Sequence, residues 1–115
     1  KSVAAEHTFD INLSSEIFML EKLEKIALEL ERRLKKHQIS GKTITLKIKY
    51  SDFTQQTRSK TMPYFISDKA LILETVKELL YQEKMKDSVR LLGISLSNLN
   101  TEIKKTIVVQ LKFDF

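Results

Sequence analysis

The chain has 115 residues, with 20 lysines and arginines against 15 acids for a formal net charge of +5, no cysteine, one proline and two glycines. That length fits one domain, and an apolar fraction of 42% suits a packed interior and excludes a disordered polar chain. The lack of cysteine excludes disulfide scaffolds, thiolate metal sites and cysteine nucleophiles and fits a reducing, cytoplasmic compartment, while no run approaches the ~18 apolar residues of a membrane span.

The chain opens Lys1-Ser2-Val3-Ala4-Ala5-Glu6-His7, without an apolar signal segment and without an initial methionine, as expected of a fragment or a processed chain. Residues 2–9 alternate, with Val3, Ala5 and Phe9 on one side and Ser2, Ala4, Glu6 and Thr8 on the other, which predicts a strand. Asn12, Ser14 and Ser15 offer N-cap oxygens to a long helix. Its apolar stripe is Leu20, Leu23, Ala27, Leu30 and Leu34, supported by Ile17 and Ile26, and its charges run from early glutamates to late bases as the helix dipole favours. Gly41 is expected to stop it.

Residues 42–50 have a clean period of two: Ile44, Leu46, Ile48 and Tyr50 point one way, Thr43, Thr45, Lys47 and Lys49 the other. After the connection Ser51-Asp52-Phe53-Thr54, a second extended run covers 55–61, and Pro63 makes it an edge strand or ends it near Met62. Ser67 and Asp68 are placed to cap a second helix with Ile72, Leu73, Val76, Leu79 and Leu80 on its apolar face, running to about Lys86. A last strand spans 89–97, with Leu92, Ile94 and Leu96 inward and Gly93, Ser95 and Ser97 outward. The order β-α-β-β-α-β predicts an α+β sandwich of two layers, two helices on one face of a four-stranded sheet and the other face open. Asn98-Leu99-Asn100-Thr101 is the expected boundary, dividing a domain over 1–97 from a tail over 98–115.

Charge separates unevenly over these elements. Residues 15–38 hold six bases and five glutamates, and residues 68–87 four bases and five acids, so the helices nearly cancel. Residues 42–62 hold Lys42, Lys47, Lys49, Arg58 and Lys60 against Asp52 alone, a balance of +4. Lys47 and Lys49 share the outer parity with Thr43 and Thr45, and Gly93, Ser95 and Ser97 line the same face with Thr57, Ser59 and Thr61 nearby. Small residues admit a polyanion closely, and hydroxyls and amides donate to phosphate oxygens, a combination that suits nucleic-acid backbone binding. A solvated sheet face is the plain alternative, since threonine and lysine are ordinary exposed strand residues. Aromatic stacking residues are not evident there, which argues against a single-strand or RNA-recognition module.

Three stretches carry a family resemblance over the whole chain: the opening Lys1-Ser2-Val3-Ala4-Ala5-Glu6-His7-Thr8-Phe9, then Thr57-Arg58-Ser59-Lys60-Thr61-Met62-Pro63, and last Val89-Arg90-Leu91-Leu92-Gly93-Ile94-Ser95-Leu96-Ser97. In order and spacing they resemble the little finger (polymerase-associated) domain of a bacterial Y-family DNA polymerase of the DNA polymerase IV, or DinB, type. The resemblance implies an antiparallel sheet with first and last strands adjacent, lying in the major groove of a primer–template duplex and gripping phosphates without reading bases. It implies DNA contacts at Ser2, Thr8, Thr57, Arg58, Lys60, Thr61 and Arg90, to which charge and parity add Lys47 and Lys49. Arg90 falls on the core-facing parity, so it must bend outward or serve another role. The sequence departs from the family pattern in carrying His7 where arginine is frequent and Ala4 where glycine is frequent.

The tail ends Gln110-Leu111-Lys112-Phe113-Asp114-Phe115. Gln110, Leu111, Phe113 and Phe115 resemble the bacterial sliding-clamp binding peptide, with an amide to anchor and apolar side chains to fill a groove. The plain alternative is a fifth strand, because Ile107, Val109, Leu111, Phe113 and Phe115 alternate.

No catalytic constellation is present in the sequence. His7 and His37 lack acidic neighbours at metal-ligand spacing, the aspartates are scattered, Gly41 and Gly93 form no phosphate loop, and Met19, Met62 and Met85 read as packing residues. The resemblance places the polymerase's magnesium-binding carboxylates, and its nucleotidyltransferase activity, in palm and finger domains outside this chain. The expected function is therefore a duplex-binding accessory domain of a translesion polymerase, partnered by primer–template DNA, a sliding clamp and the parent's catalytic domains. A protein-interaction module that docks through its open sheet or tail without DNA is the alternative from another class, and an RNA-binding α+β domain a third.

Overall fold

The computed structural model describes residues 2–13, 16–82 and 88–100, with the side chains at 9–13 and 16 outside that description. The elements follow in the expected order: β1 (Ser2–Leu13), α1 (Glu16–Lys36), β2 (Gly41–Tyr50), β3 (Gln55–Ile66), α2 (Lys69–Tyr81) and β4 (Val89–Leu99). The four strands form one antiparallel sheet in the order β1-β4-β2-β3, so first and last strands are adjacent and the basic hairpin supplies one edge. Both helices cover one face, α1 over β1 and β4, α2 over β2 and β3.

The core forms where the helical and strand periodicities meet. Leu23, Ile26, Leu30 and Leu34 of α1 and Ile72, Val76, Leu79 and Leu80 of α2 press on Ile44, Leu46, Ile48 and Tyr50 of β2 and Leu92, Ile94 and Leu96 of β4, all buried. Each fully buried Leu or Ile contributes roughly 1.5–3 kcal/mol, and this layer is the main source of stability. The α1 stripe differs from the sequence pattern at its start: Met19 is buried, whereas Ile17 and the adjacent Phe18 are exposed.

Local departures have physical causes. Gly41 does not stop α1. The helix ends at Lys36, and Gln38 takes the left-handed conformation at φ 53, with Ile39 N–H closing back on the Leu34 carbonyl at 2.8 Å. Gly41 instead opens β2, where a Cβ would lie 2.7 Å from both Leu96 Cγ and the Ser97 carbonyl. β3 runs on through Pro63, as an edge strand permits. Its ladder to β2 passes from Thr43↔Thr61 to Gly41↔Ile66, leaving the proline in an irregular stretch. Asp68 is the N-cap of α2 but makes no side-chain cap bond. Glu31 of α1 accepts from Lys69 N–H at 2.5 Å instead, so one helix caps the other.

α2 as described ends at Tyr81, with Gln82 as C-cap. Its expected continuation to Lys86 lies outside the described residues, as do the cap oxygens of Asn12, Ser14 and Ser15, the side chain of Phe9, and Met85. β4 extends past the expected boundary at 97. Leu99 is buried, and Asn100 exchanges bonds with Ser40, its N–H donating to the Ser40 carbonyl at 2.9 Å and its Oδ1 accepting from Ser40 N–H at 3.2 Å. The folded body thus includes residues 98–100.

Candidate nucleic-acid interface

The register builds the open face as four rows across β1, β4, β2 and β3. They are Ser2-Ser97-Thr43-Thr61, Ala4-Ser95-Thr45-Ser59, Glu6-Gly93-Lys47-Thr57 and Thr8-Leu91-Lys49-Gln55. Two rows of hydroxyls and small residues are followed by two that carry the lysines. Ser2, Thr8, Thr57, Thr61, Lys47 and Lys49 are thereby brought onto one surface, as the sequence analysis expected. Neighbouring hydroxyls orient one another: Thr43 and Thr61 Oγ1 are 3.0 Å apart, and Thr45 Oγ1 is 2.8 Å from Ser59 Oγ. Asn98, at φ 53, donates from Nδ2 to Thr43 Oγ1 at 2.6 Å.

The +4 strand pair divides between the two faces. Arg58 pairs with Leu46 and Lys60 with Ile44, so both point to the helix side. Arg58 is 5% exposed, and its Nη1 donates to the Leu79 and Leu80 carbonyls at 2.9 Å each. It neutralises the C-terminal end of α2, and its expected place among the DNA contacts is corrected to a structural one. Lys60 is turned to α2 as well, donating to Glu78 Oε2 at 2.7 Å. That hydrogen bond, with the carboxylate's charge, holds the Lys60 ammonium above its usual pKa. Lys42 shares the parity of Ile44 and stacks on Phe65, Nζ 4.8 Å from the ring centre.

On the open rows, Lys47 and Lys49 against Glu6 leave a net +1. Glu6 reaches Lys47 across β4, Oε2 to Nζ 3.2 Å, over Gly93. A Cβ at Gly93 would stand 3.0 Å from Glu6 Cβ, so the missing side chain is what lets residues two strands apart meet.

Arg90 resolves its parity problem through a β-bulge. The ladder passes from Lys49↔Leu91 to Tyr50↔Val89, leaving Arg90 as the extra residue. Its guanidinium carbon lies 4.6 Å from the centre of the Phe53 ring, and Lys49 Nζ is 5.8 Å from the same centre. Sequence reasoning passed over Glu6 and Phe53. The available signals were a lone acid on the strand face and a lone aromatic in a polar turn.

His7 shares the helix-side parity of Ala5, and its Nε2 lies 3.0 Å from Glu29 Oε2, which belongs to a carboxylate that also accepts from Arg33 Nη2 at 2.6 Å. Arg33 Nη1 in turn donates to the Ala4 carbonyl, tying β1 to α1. Among the described residues no three His, Asp or Glu side chains gather as a metal site requires. No described helix is long and apolar enough to cross a membrane. The expected clamp-binding residues Gln110, Leu111, Phe113 and Phe115, and the alternative fifth strand, lie outside the described residues.

The sequence profile of the impB/mucB/samB family C-terminal domain matches residues 1–113. The chain is 43% identical over 110 residues to a DNA polymerase IV of Leptospira interrogans, covering 89% of this chain and 30% of that protein. It is 39% identical over 115 residues to a DNA polymerase IV of Clostridium perfringens, covering 99% and 32%. The chain therefore spans about a third of the curated relatives it matches. Among solved structures, the little finger domain of PolIV in complex with the beta-clamp processivity factor superposes with a TM-score of 0.71 at 24% identity, covering 84% of this chain and 87% of that one. A Dbh ternary complex superposes at 0.72 with 19% identity, covering 84% and 29%. These likenesses establish the fold, and the match over residues 1–113 shows that the chain belongs to the impB/mucB/samB family C-terminal domain.

Proposed function

We propose that this domain grips the backbone of a primer–template duplex through its open sheet face, as one part of a translesion DNA polymerase of the DNA polymerase IV type. The observation that carries the reading is the open face: hydroxyls and small residues at one end of its four rows, Lys47 and Lys49 at the other with Arg90 beside them at the β4 bulge, and Glu6 as the single carboxylate within those rows. The hydroxyl rows donate to phosphate oxygens, the small side chains admit the backbone closely, and the cations release condensed counterions. The first two rows present only Ser, Thr and Ala, without the Arg, Lys, Asn or Gln that make bidentate bonds with base edges, which supports a grip with little sequence preference. Holding the duplex is a positioning role; nucleotidyl transfer, with its magnesium, belongs to domains outside this chain. Residues 110–115 supply a sliding-clamp binding peptide, a reading supported by their sequence and by the beta-clamp complex of the PolIV little finger.

Binding of the 115-residue chain to two duplexes of unrelated sequence, and to one of their single strands, tests the reading by fluorescence anisotropy. Equal affinity for the duplexes and weaker binding to the single strand is expected. A tenfold preference for one duplex sequence, or no duplex binding at low salt, contradicts it.

A further inference from the structure

Phe53 is in the wrong place for an ordinary phenylalanine. It sits in the β2–β3 turn at φ 68, in the left-handed region that bulky residues avoid, and it is 62% exposed. Core packing does not account for it, and the turn around it is closed by hydrogen bonds. Phe53 N–H donates to the Tyr50 carbonyl and Tyr50 N–H to the Thr54 carbonyl, both at 2.9 Å, while Asp52 Oδ1 accepts from Thr54 N–H at 3.0 Å and Thr54 Oγ1 at 2.6 Å. On the facing strand the bulge delivers Arg90 to the ring, Cζ 4.6 Å from its centre, and Lys49 approaches to 5.8 Å. Neither cation forms an ion pair among the described residues, unlike Lys47 and Lys60. A strained turn, a strand irregularity and the last row of the sheet thus converge on a single ring.

We propose that Phe53 is a positioning residue for phosphate binding: its ring holds the Arg90 guanidinium, beside Lys49, at the end of the open face, where the two cations take one backbone phosphate of a nucleic-acid duplex. Stacking fixes the plane of the guanidinium and leaves its N–H edge free for two parallel bonds to one phosphate. An arginine without the ring would have to give up its side-chain freedom on binding, so the ring raises affinity by pre-ordering the donor. This assignment rests on the reading of the open face as a duplex-binding surface.

The test is a double-variant cycle on the 115-residue chain, with duplex affinity and thermal midpoint read together. Asparagine tolerates the left-handed backbone, so F53N removes the ring while easing the strain. F53N is expected to leave the midpoint unchanged or raised and to weaken duplex binding about two- to fivefold. F53W is expected to retain parental affinity. In an R90Q background, F53N is expected to have no further effect, because the ring acts through Arg90. An equal loss from F53N with or without R90Q, or parental affinity in F53N alone, overturns the role of Phe53. If F53N and R90Q are both silent while K47A weakens binding, the cluster is not a phosphate site and the duplex-binding face stands. If the chain binds no duplex at low salt, both assignments fall.

Discussion

Glu6 and Lys47, on strands separated by β4, meet over Gly93 with Oε2 and Nζ 3.2 Å apart. The contact ties up one of the two lysines on the open rows. Both side chains are substantially exposed, 51% and 37%, so the pair contributes at most about 1 kcal/mol to stability. Its larger effect is on the field met by an approaching polyanion. E6Q is expected to strengthen duplex binding two- to fivefold at low salt and to leave the thermal midpoint within a few degrees of the parent. Weakened binding would mean that Glu6 orients Lys47 for its phosphate.

Arg58 is expected to matter for folding alone. Its guanidinium is buried and holds the last carbonyls of α2. R58M is expected to cost about 2–4 kcal/mol in chemical denaturation, the range for losing charge-assisted bonds to buried carbonyls. Duplex affinity of the folded protein should stay within twofold. A stable R58M that binds DNA much more weakly would return this residue to the binding face.

The two glycines should respond differently to a methyl group. In G41A the added carbon meets the Ser97 carbonyl and Leu96 Cγ at 2.7 Å, and backbone must move, for an expected cost of about 1–3 kcal/mol. In G93A the closest approach is looser, Glu6 Cβ at 3.0 Å, so β1 has to give by only a few tenths of an ångström, and the expected cost is below about 1 kcal/mol. Urea unfolding of the two variants decides this, and equal costs would contradict it.

The tail is expected to work independently of the sheet. Truncation after Val109 should abolish binding to a bacterial sliding clamp in a pull-down while leaving duplex affinity intact. Retained clamp binding would assign that contact to another surface.

The parts of this architecture legible in the sequence are those set by local periodicity. The alternation of Ile44, Leu46 and Ile48 with Thr45, Lys47 and Lys49 assigned the faces of β2, and the helical stripes supplied the layer above it. The same rule applied to β3 would have separated Thr57, Ser59 and Thr61 from Arg58 and Lys60; counting charge by segment merged the two parities. Strand order does not follow from periodicity, because pairing is non-local. The family resemblance supplied one part of it, the adjacency of the first and last strands. The bulge at Arg90 was invisible because an extra residue changes no pattern until the partner strand is known. Phe53 was passed over because its meaning lies in a positive φ and in two cations that come from different strands.

The central claim is that the open face binds a duplex through its phosphates, and the salt dependence of that binding is its most direct test. With Lys47 taking one phosphate and Lys49 and Arg90 sharing another, log affinity should fall with log salt at a slope of about −2. In K47A/K49A the slope should shrink to about −1, with affinity reduced alike for every duplex sequence. A slope unchanged in that variant, or parental affinity, would contradict the account.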